Sequence, residues 1–203
     1  MGKINFKDLS KYLETTLDEQ LKHVNITNKY VAFLGGVFSN FYPCEMRAEL
    51  HFSIVSDKFD YNNRLDFISS EQYFMWQKAM YFGDGETAEK ILKAETPMEA
   101  KNLGREVKNF NEEEWAKVRY DAMFEAVICK FKQNESLKEI LLANEFKDKH
   151  FVEGNPHDKI WAVGLDWKDE RIGDENNWNG LNLLGRVLDD VRDYLTPQVE
   201  IPW

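Results

Sequence analysis

Between residues 69 and 134 the sequence carries start and stop signals for successive helices, and this constrains the fold more than any other feature. The segment SSEQYFMWQKAMYF begins with a serine suited to an N-cap, and the glycines of GDGE suit a left-handed helix stop. TPMEAKNLGREV has its proline in a first helical turn. Asn111, followed three residues later by Glu114, has the spacing of a capping box. We therefore predict a chain dominated by helices from residue 70 onward.

The rest of the chain predicts a small sheet and further helices. YVAFLGG is typical of a buried strand, and ELHFSIVSDKFDY partly alternates before NN turns the chain back through RLDFIS, which indicates antiparallel pairing. Beyond the long helix, ESLKEILLAN and NLLGRVLDDVRDYL predict two more helices, separated by a loop-rich span at 150–180. Apolar residues at helical spacing over 5–23 predict an N-terminal helix. The predicted fold class is α+β, a mostly helical single domain (29–203) with a small antiparallel sheet and an N-terminal helical extension (1–28).

Charge and apolar patterning limit the classes of partner. The net charge of −10 disfavours diffuse attraction to nucleic acid or to an anionic membrane, so a bound polyanion would have to meet a local basic patch. The first residues lack the apolar core of a secretory signal, and no stretch approaches the ~20 apolar residues of a membrane helix. We expect a cytoplasmic protein with no membrane partner.

The cysteines and histidines give no sign of a disulfide or metal framework. Cys44 and Cys129 are far apart and outside any CxxC spacing, and the four histidines form no paired ligand pattern. We expect no structural metal and no cofactor.

A carboxylate and an amine occur on one predicted helix face. Glu71, Phe74, Met75 and Lys78 fall within one stripe of the helix that begins at SSEQ. Both charged groups can extend to solvent at the helix edges. Alternatively they line a pocket, where Glu71 acts as a base or stabilises positive charge and Lys78 meets a phosphate or a carbonyl.

Two further segments carry donors suited to an anion. In NLGREVKNF, Gly104 permits close approach and Arg105 offers a guanidinium fork for phosphate, although a solvated basic turn fits equally well. In NWNGLNLLGRVLDDVR, Asn182 precedes a helix that bears Arg186, and backbone amides at such a helix start can hold an anion. A plain helix entry explains that segment as well.

Two loop segments combine aromatic and polar side chains. FVEGNPHDKIWAVGLDW places Glu153, Asp158 and Trp161 among turn residues, which fits either a functional loop or local turns with an aromatic anchor. In FSNFYP, the two phenylalanines can sandwich a base while the Ser-Asn pair bonds its polar edge, or the rings can simply fill the core. The residues of that wall are Phe38, Ser39, Asn40 and Phe41.

Taken in chain order, six stretches resemble the successive motifs of the NADAR family, also called the YbiA-like or riboflavin-intermediate N-glycosidase family. They are FSNFYP, SSEQYFMWQKA, GREVKNF with Trp115 shortly after it, KFKQNESLKEILL, NPHDKIWAVG and WNGLNLLGRVLDDVR. The resemblance covers roughly residues 31–195, and its specificity lies in the order of the six pieces. It implies a YbiA-like α+β fold and makes residues 29–203 an N-glycosidase domain.

The resemblance implies an enzyme that breaks the bond between a nitrogen and C1 of a phosphorylated ribose. Members of the family are associated with hydrolysis of reactive riboflavin-pathway intermediates or with removal of ADP-ribose from guanine, and several occur beside ADP-ribosylating toxins. The family's motif residues fall on Glu71, Lys78, Gly104, Arg105, Asp158, Trp161 and the wall from Phe38 to Phe41. Two departures are Asn155-Pro156 in place of Ser-Pro, and Ala162 in place of a glycine after the tryptophan.

The chemistry implied by the resemblance gives each candidate residue a role. Glu71 would stabilise positive charge on the ribose or activate water, and Asp158, with Glu153 as its substitute, would protonate the leaving nitrogen. Lys78 would form a Schiff base with C1 or hold a phosphate. The remaining substrate contacts are assigned to Arg105 and Arg186 at the phosphates, Trp161 and Phe38 at the base, and Ser39, Asn40, Phe41, Gly104, Trp115 and Asn182 around them.

Three functions remain open from the sequence. Removal of ADP-ribose from guanine in DNA, RNA or nucleotides is the leading one, and the resemblance makes an ADP-ribosyltransferase toxin system a candidate partner. The acidic net charge suits a small phosphoribosylated substrate of the riboflavin pathway better. A non-catalytic module that binds ADP-ribose or a nucleotide is the third, although binding alone would not require Glu71, Lys78 and Asp158 together.

Overall fold

A computed structural model describes residues 15–48 and 65–197 of the chain, and all structural statements below refer to these two ranges. The helices there are α1 (Leu17–Leu21), α2 (Ser70–Tyr81), α3 (Gly85–Leu92), α4 (Pro97–Arg105), α5 (Glu112–Gln133), α6 (Glu135–Leu141) and α7 (Leu183–Leu195). The strands are β1 (Val24–Ile26), β2 (Tyr30–Phe33), β3 (Met46–Arg47), β4 (Asp66–Phe67) and β5 (His150–Glu153). The predicted α+β class is confirmed.

The strands form one mixed sheet and one short antiparallel pair. The three-stranded sheet has the order β1-β2-β5, and β3 pairs antiparallel with β4. β1 runs antiparallel to β2, with Val24 opposite Phe33, whereas β5 runs parallel to β2, with Tyr30 opposite His150. β1 thus extends the main sheet from within the predicted N-terminal extension. Because β2 and β5 are parallel neighbours, the helices α2 to α6 form the crossover between them.

Helix α2 is the central helix of the domain. Its first turn is capped by Ser69, whose hydroxyl accepts from the Gln72 amide, and it ends before Gly83, which has a positive φ of 73°. It packs against α3, α4 and α5, so even polar residues in its first two turns are buried. A helix enclosed in this way can carry an ionisable side chain into the interior of the protein.

Helices α5 and α7 complete the core around α2 and the sheet. Asn111 caps α5 by accepting from the Glu114 amide, as its sequence spacing predicts. α5 packs against both α2 and α7, and α7 packs against β5. Within the described ranges, none of the helices combines the length and apolar character needed to cross a bilayer.

The structure differs from the sequence-based expectation in its third sheet strand and in its first helix, and part of the expectation lies outside the described residues. β5 occupies the start of a span predicted to be loop-rich, and its parallel pairing makes the sheet mixed rather than purely antiparallel. α1 covers only 17–21 of the predicted 5–23 helix, and the part of that prediction before residue 15 lies outside the described residues. The predicted strand at 49–61 and its turn lie outside them as well.

Candidate active site

A cavity of about 130 Å³ opens where the N-terminal half of α2 meets α4, the loop before residue 42, the end of β5 and the loop that follows it. Its lining combines three carboxyl groups, one ammonium group, one amide and an apolar wall with three aromatic rings. These residues are Asn40, Phe41, Glu71, Phe74, Met75, Lys101, Glu153, Asp158 and Trp161. Eight of the nine lie in segments that the sequence analysis identified as candidates, and Lys101 is the exception.

Glu71 lies in the first turn of α2 and is only 4% exposed. Its amide donates to the Asn40 carbonyl at 3.0 Å, and its carboxylate is hydrogen-bonded by the Asn40 side chain. Burial raises the pKa of Glu71 to about 7, with a further contribution from Asp158, while Lys101, Asn40 and Arg105 act in the opposite direction. Near neutral pH this group therefore exists both as acid and as base.

The side chain of Asn40, which lines the cavity beside Glu71, has a hydrogen-bond acceptor without a partner among the described residues. Its Oδ1 atom is buried, and within the described part of the chain it has no hydrogen-bond partner. A buried polar atom without a partner costs free energy, roughly 1–3 kcal/mol. Since Asn40 lines the cavity, a ligand hydroxyl or amino group is the natural partner for this oxygen.

Glu153 ends strand β5 and reaches the same cavity. Its amide donates to Oδ1 of Asn182 at 3.1 Å, and its carbonyl accepts from the Val163 amide, so its backbone is held on both sides. Burial, together with the smaller effects of the negative charges of Asp158 and Glu71, raises the pKa of Glu153 to about 8. Lys101 partly offsets this increase. The Glu153 carboxyl group is therefore largely protonated at neutral pH.

Asp158 both lines the cavity and fixes the loop around it. Its Oδ1 accepts from the amides of Ile160 at 2.9 Å and Trp161 at 2.8 Å. This places the Trp161 ring against Phe74, edge to face, with ring centres 5.2 Å apart. One oxygen of Asp158 is thus committed to the loop.

Lys101 is the one cation among the residues that line the described cavity, and the sequence analysis did not identify it. It lies on α4 with its Nζ 5.1 Å from the centre of the Phe41 ring. Its charge lowers the pKa of both Glu71 and Glu153. The sequence does contain one indication of Lys101: it lies one turn before Arg105, so both cations are on one face of α4.

Lys78 and Arg105 lie beside the cavity but do not line it. Lys78 donates to the Gly104 carbonyl at 2.9 Å and rests 4.0 Å from the centre of the Phe110 ring. Partial burial lowers the pKa of Lys78, while the charges of Glu112 and Glu71 act in the opposite direction. Arg105 is exposed and contacts Asn102.

Gly104 has a steric role at the α2–α4 contact. A Cβ atom there would collide with Sδ of Met75, which lines the cavity. Glycine therefore lets the two helices approach each other closely. This accounts for the glycine without any contact to a substrate.

Other candidates from the sequence analysis have core or scaffold positions. Phe38 packs among Phe33, Phe146 and Phe151, with ring centres 4.7–5.6 Å away. Trp115 is buried against α2. The structure brings neither ring to the cavity.

Ser39, Asn182 and Arg186 are also accounted for by their surroundings. The Ser39 hydroxyl accepts from the Phe41 amide at 3.2 Å, which shapes the loop. Asn182 has a left-handed backbone, and its side-chain amide donates to the Phe151 carbonyl at 2.9 Å, tying α7 to β5. Arg186 lines a different cleft, together with His150.

No group of three or more histidine, cysteine, aspartate or glutamate side chains within residues 15–48 and 65–197 is arranged to hold a metal ion. The Ala162 that departs from the family's glycine is buried, and its carbonyl accepts from the Asn182 amide. The arrangement therefore offers acid–base chemistry by carboxyl groups around a small polar cavity with aromatic walls.

Comparison with known proteins relates the chain to the NADAR family, to two relatives of similar sequence and to one solved structure of similar fold. A model of the NADAR domain matches residues 32–196. The chain is 43% identical to "Protein irg-1" of Caenorhabditis elegans over 81% of this chain and 77% of the relative. It is 37% identical to "N-glycosidase R617" of Acanthamoeba polyphaga mimivirus over 82% of this chain and 96% of the relative. The NMR structure of the Escherichia coli protein YbiA is similar in fold, with a TM-score of 0.61 at 24% identity, over 87% of this chain and 89% of that one.

Proposed function

The chain belongs to the NADAR family, and from this premise we propose that it is an N-glycosidase that removes ADP-ribose from the amino group of guanine in nucleic acid or nucleotides. The name of the viral relative supports the N-glycosidase reaction. The choice of ADP-ribosylated guanine as substrate is our own proposal, and the size and lining of the cavity support it.

The observation that carries the proposal is a pair of carboxyl groups, buried Glu71 and half-buried Glu153, that line one cavity and have raised pKa values. Hydrolysis of a glycosidic bond needs one carboxylate and one carboxylic acid near the sugar. With pKa values of about 7 and about 8, the pair meets this requirement close to neutral pH. The two groups influence one another, so they titrate as a pair.

Glu71 acts on the sugar side of the reaction. Breaking the bond between C1 and the nitrogen builds positive charge on the ribose ring, and a fixed carboxylate stabilises this charge more in the transition state than in the ground state. The same carboxylate accepts a proton from the attacking water as the new bond between oxygen and C1 forms. The side-chain hydrogen bond from Asn40 favours the ionised form of Glu71.

Glu153 acts on the leaving group. The electron pair of the breaking bond goes to the nitrogen, and Glu153 donates the proton that the nitrogen then takes up. The products are ADP-ribose and the free amino group of guanine, with the proton from water left on Glu71. Asp158 raises the pKa of both glutamates and holds the Trp161 loop. Its proposed role is therefore positional and electrostatic.

The size of the cavity indicates which part of the substrate is enclosed. About 130 Å³ is well below the roughly 300–1,000 Å³ of pockets that surround a whole ligand. We therefore place only the reacting ribose inside, with the base against Trp161 or Phe41 and the diphosphate outside. A site that grips one sugar suits a single modified nucleotide held out of its strand.

The phosphates are assigned to the α4 side of the cavity mouth. Lys101 and Arg105 are one turn apart on α4, and both act electrostatically on Glu71. Lys78 keeps the two roles that the sequence suggests, Schiff-base formation or charge binding, as untested proposals. Its contacts with Gly104 and Phe110 would have to break before it reached C1.

A phosphoribosylated small molecule of the riboflavin pathway is the second candidate substrate. The net charge of −10 favours it, because affinity for nucleic acid depends on the number of phosphates that basic residues neutralise. The two candidates share the same cavity and the same chemistry.

The test is to incubate the protein with guanine-ADP-ribosylated DNA and, separately, with an aminopyrimidine ribose phosphate, comparing wild type with Glu71→Gln. The proposal expects release of ADP-ribose from the DNA by wild type and at least a hundredfold less by the variant. Turnover of the aminopyrimidine alone would favour the second substrate. Binding of ADP-ribose without any turnover would instead identify a non-catalytic module.

A further inference from the structure

Lys130, in the last part of α5, is a lysine enclosed within the protein. It is 1% exposed, which is rare for a lysine, because removing an ammonium group from water is costly unless it is well paired. Within residues 15–48 and 65–197, no carboxylate lies within ion-pair distance of it. A charge kept in such a position has a structural or functional reason that packing alone does not supply.

The hydrogen bonds of Lys130 converge on one loop. Its Nζ donates to the carbonyl oxygen of Val37 and, at 2.9 Å, to that of Ser39. The centre of the Tyr42 ring lies 5.4 Å from Nζ. The ammonium is thus placed inside the turn formed by residues 36–42, which we call the cavity loop.

The cavity loop in turn holds the proposed catalytic carboxylate. Asn40 and Phe41 of this loop line the cavity. The Asn40 carbonyl accepts from the Glu71 amide at 3.0 Å and from the Ser70 hydroxyl at 3.4 Å, so the loop also fixes the start of α2. The Asn40 side chain bonds the Glu71 carboxylate itself. Two steps therefore connect Lys130 with Glu71.

We propose that Lys130 is a positioning residue for the reaction: its ammonium fixes the cavity loop, and through Asn40 it sets the position of the Glu71 carboxylate. This inference rests on the proposed function for its effect on catalysis. Its effect on the loop does not depend on that function. Errors of about 1 Å in the position of a catalytic group can lower a rate about a hundredfold.

A second lysine provides a matched control for this geometry. Lys149 donates to two consecutive backbone carbonyls, those of Thr27 at 2.8 Å and Asn28 at 3.0 Å. Neither Lys149 nor the turn that it holds lines the cavity. Lys130→Met and Lys149→Met therefore remove the same chemical group and the same number of carbonyl contacts, one beside the site and one away from it.

The experiment measures hydrogen exchange and steady-state kinetics for both variants and the wild type. We expect Lys130→Met to speed exchange in segments 36–42 and 70–74, and to lower kcat at least tenfold with KM changed less than threefold. Lys149→Met should speed exchange near residues 27–30 and leave kcat within twofold of the wild type. If Lys130→Met does not fold, Lys130→Gln, which keeps an N–H donor without the charge, takes its place with smaller changes in the same segments.

Unchanged exchange in both segments for the Lys130 variant would overturn the proposal, as would a loss of kcat no larger than that of Lys149→Met. These outcomes are distinct from failure of the proposed function. If the wild type itself turns over neither substrate, the proposed function fails. Hydrogen exchange needs no substrate and still decides whether Lys130 fixes the cavity loop and the start of α2.

Discussion

Asn40 and Glu71 are joined twice, by a backbone hydrogen bond of 3.0 Å from the Glu71 amide to the Asn40 carbonyl and by a bond between their side chains. The first bond places the start of α2 against the cavity loop. The second favours the ionised form of a carboxyl group whose burial disfavours it. Position and ionisation of the proposed catalytic group therefore depend on the same neighbour.

Asn40→Ala should move the acidic limb of the activity profile to higher pH. The Asn40 hydrogen bond lowers the pKa of Glu71, so its loss lets that pKa rise above its present value of about 7. At pH 7 less Glu71 is ionised, and we expect kcat/KM to fall about tenfold. The pH dependence of kcat/KM measures both effects, and an acidic limb at the wild-type pH in the variant would contradict this account.

The wild-type enzyme should show a narrow bell-shaped pH profile. Activity needs Glu71 ionised, so it is lost as the pH falls below about 7, and it needs Glu153 protonated, so it is lost as the pH rises above about 8. Glu153→Gln should lower kcat about a hundredfold and remove the alkaline limb. Persistence of that limb in the variant would assign it to another group.

Lys101→Met should weaken substrate binding and alter the ionisation of the site. Its charge lowers the pKa of Glu71 and Glu153, so removing it raises both, and we expect the whole profile to shift to higher pH with KM increased about tenfold. Lys108→Met is the control, because Lys108 is an exposed lysine nearby that pairs with Glu86 outside the cavity. Equal effects of the two substitutions on KM would contradict a specific role for Lys101.

Glu71→Gln should stabilise the folded protein above neutral pH. A carboxyl group with a raised folded-state pKa stabilises the fold below its unfolded pKa, and this contribution is lost as the pH rises through the folded value of about 7. The neutral amide avoids this loss, so Tm at pH 8 should rise by a few °C. The difference between the folded and unfolded pKa values limits the gain in free energy of unfolding to at most about 3 kcal/mol. At pH 5 the difference in Tm should be small.

Glu86→Gln is the control for this prediction, because the pKa of Glu86 is shifted in the opposite direction from that of Glu71. Hydrogen bonds from Lys108 and Lys90 lower the pKa of exposed Glu86 to about 2, so its contribution is present above its unfolded pKa. This variant should not gain Tm at pH 8. If Glu71→Gln and Glu86→Gln changed Tm in the same direction, burial of Glu71 would not be the cause.

Local signals in the sequence predict the helices well, because caps act within one turn of the chain. Ser69 and Asn111 begin α2 and α5 as their patterns indicate, and Gly83 takes the left-handed conformation that ends α2. β5 escaped prediction because its partner β2 lies more than a hundred residues away along the chain. A strand of four residues has little periodicity of its own.

The candidate site was predictable where a motif supplied the residue. Asn40, Phe41, Glu71, Asp158 and Trp161 all line the cavity. Residue type alone could not separate a ring that lines a pocket from one that fills the core, so Phe38 and Trp115 were included although they are buried elsewhere. Lys101 was missed because only the packing of α4 against α2 brings it to the carboxylates.

The most direct test of the central claim is a crystal structure of Glu71→Gln with an ADP-ribosylated guanosine bound. This account predicts the ribose in the cavity, with its C1 within about 4 Å of the residue 71 side chain and the leaving nitrogen facing Glu153. A ribose bound instead in the cleft lined by Arg186 and His150, with the cavity at Glu71 empty, would contradict it.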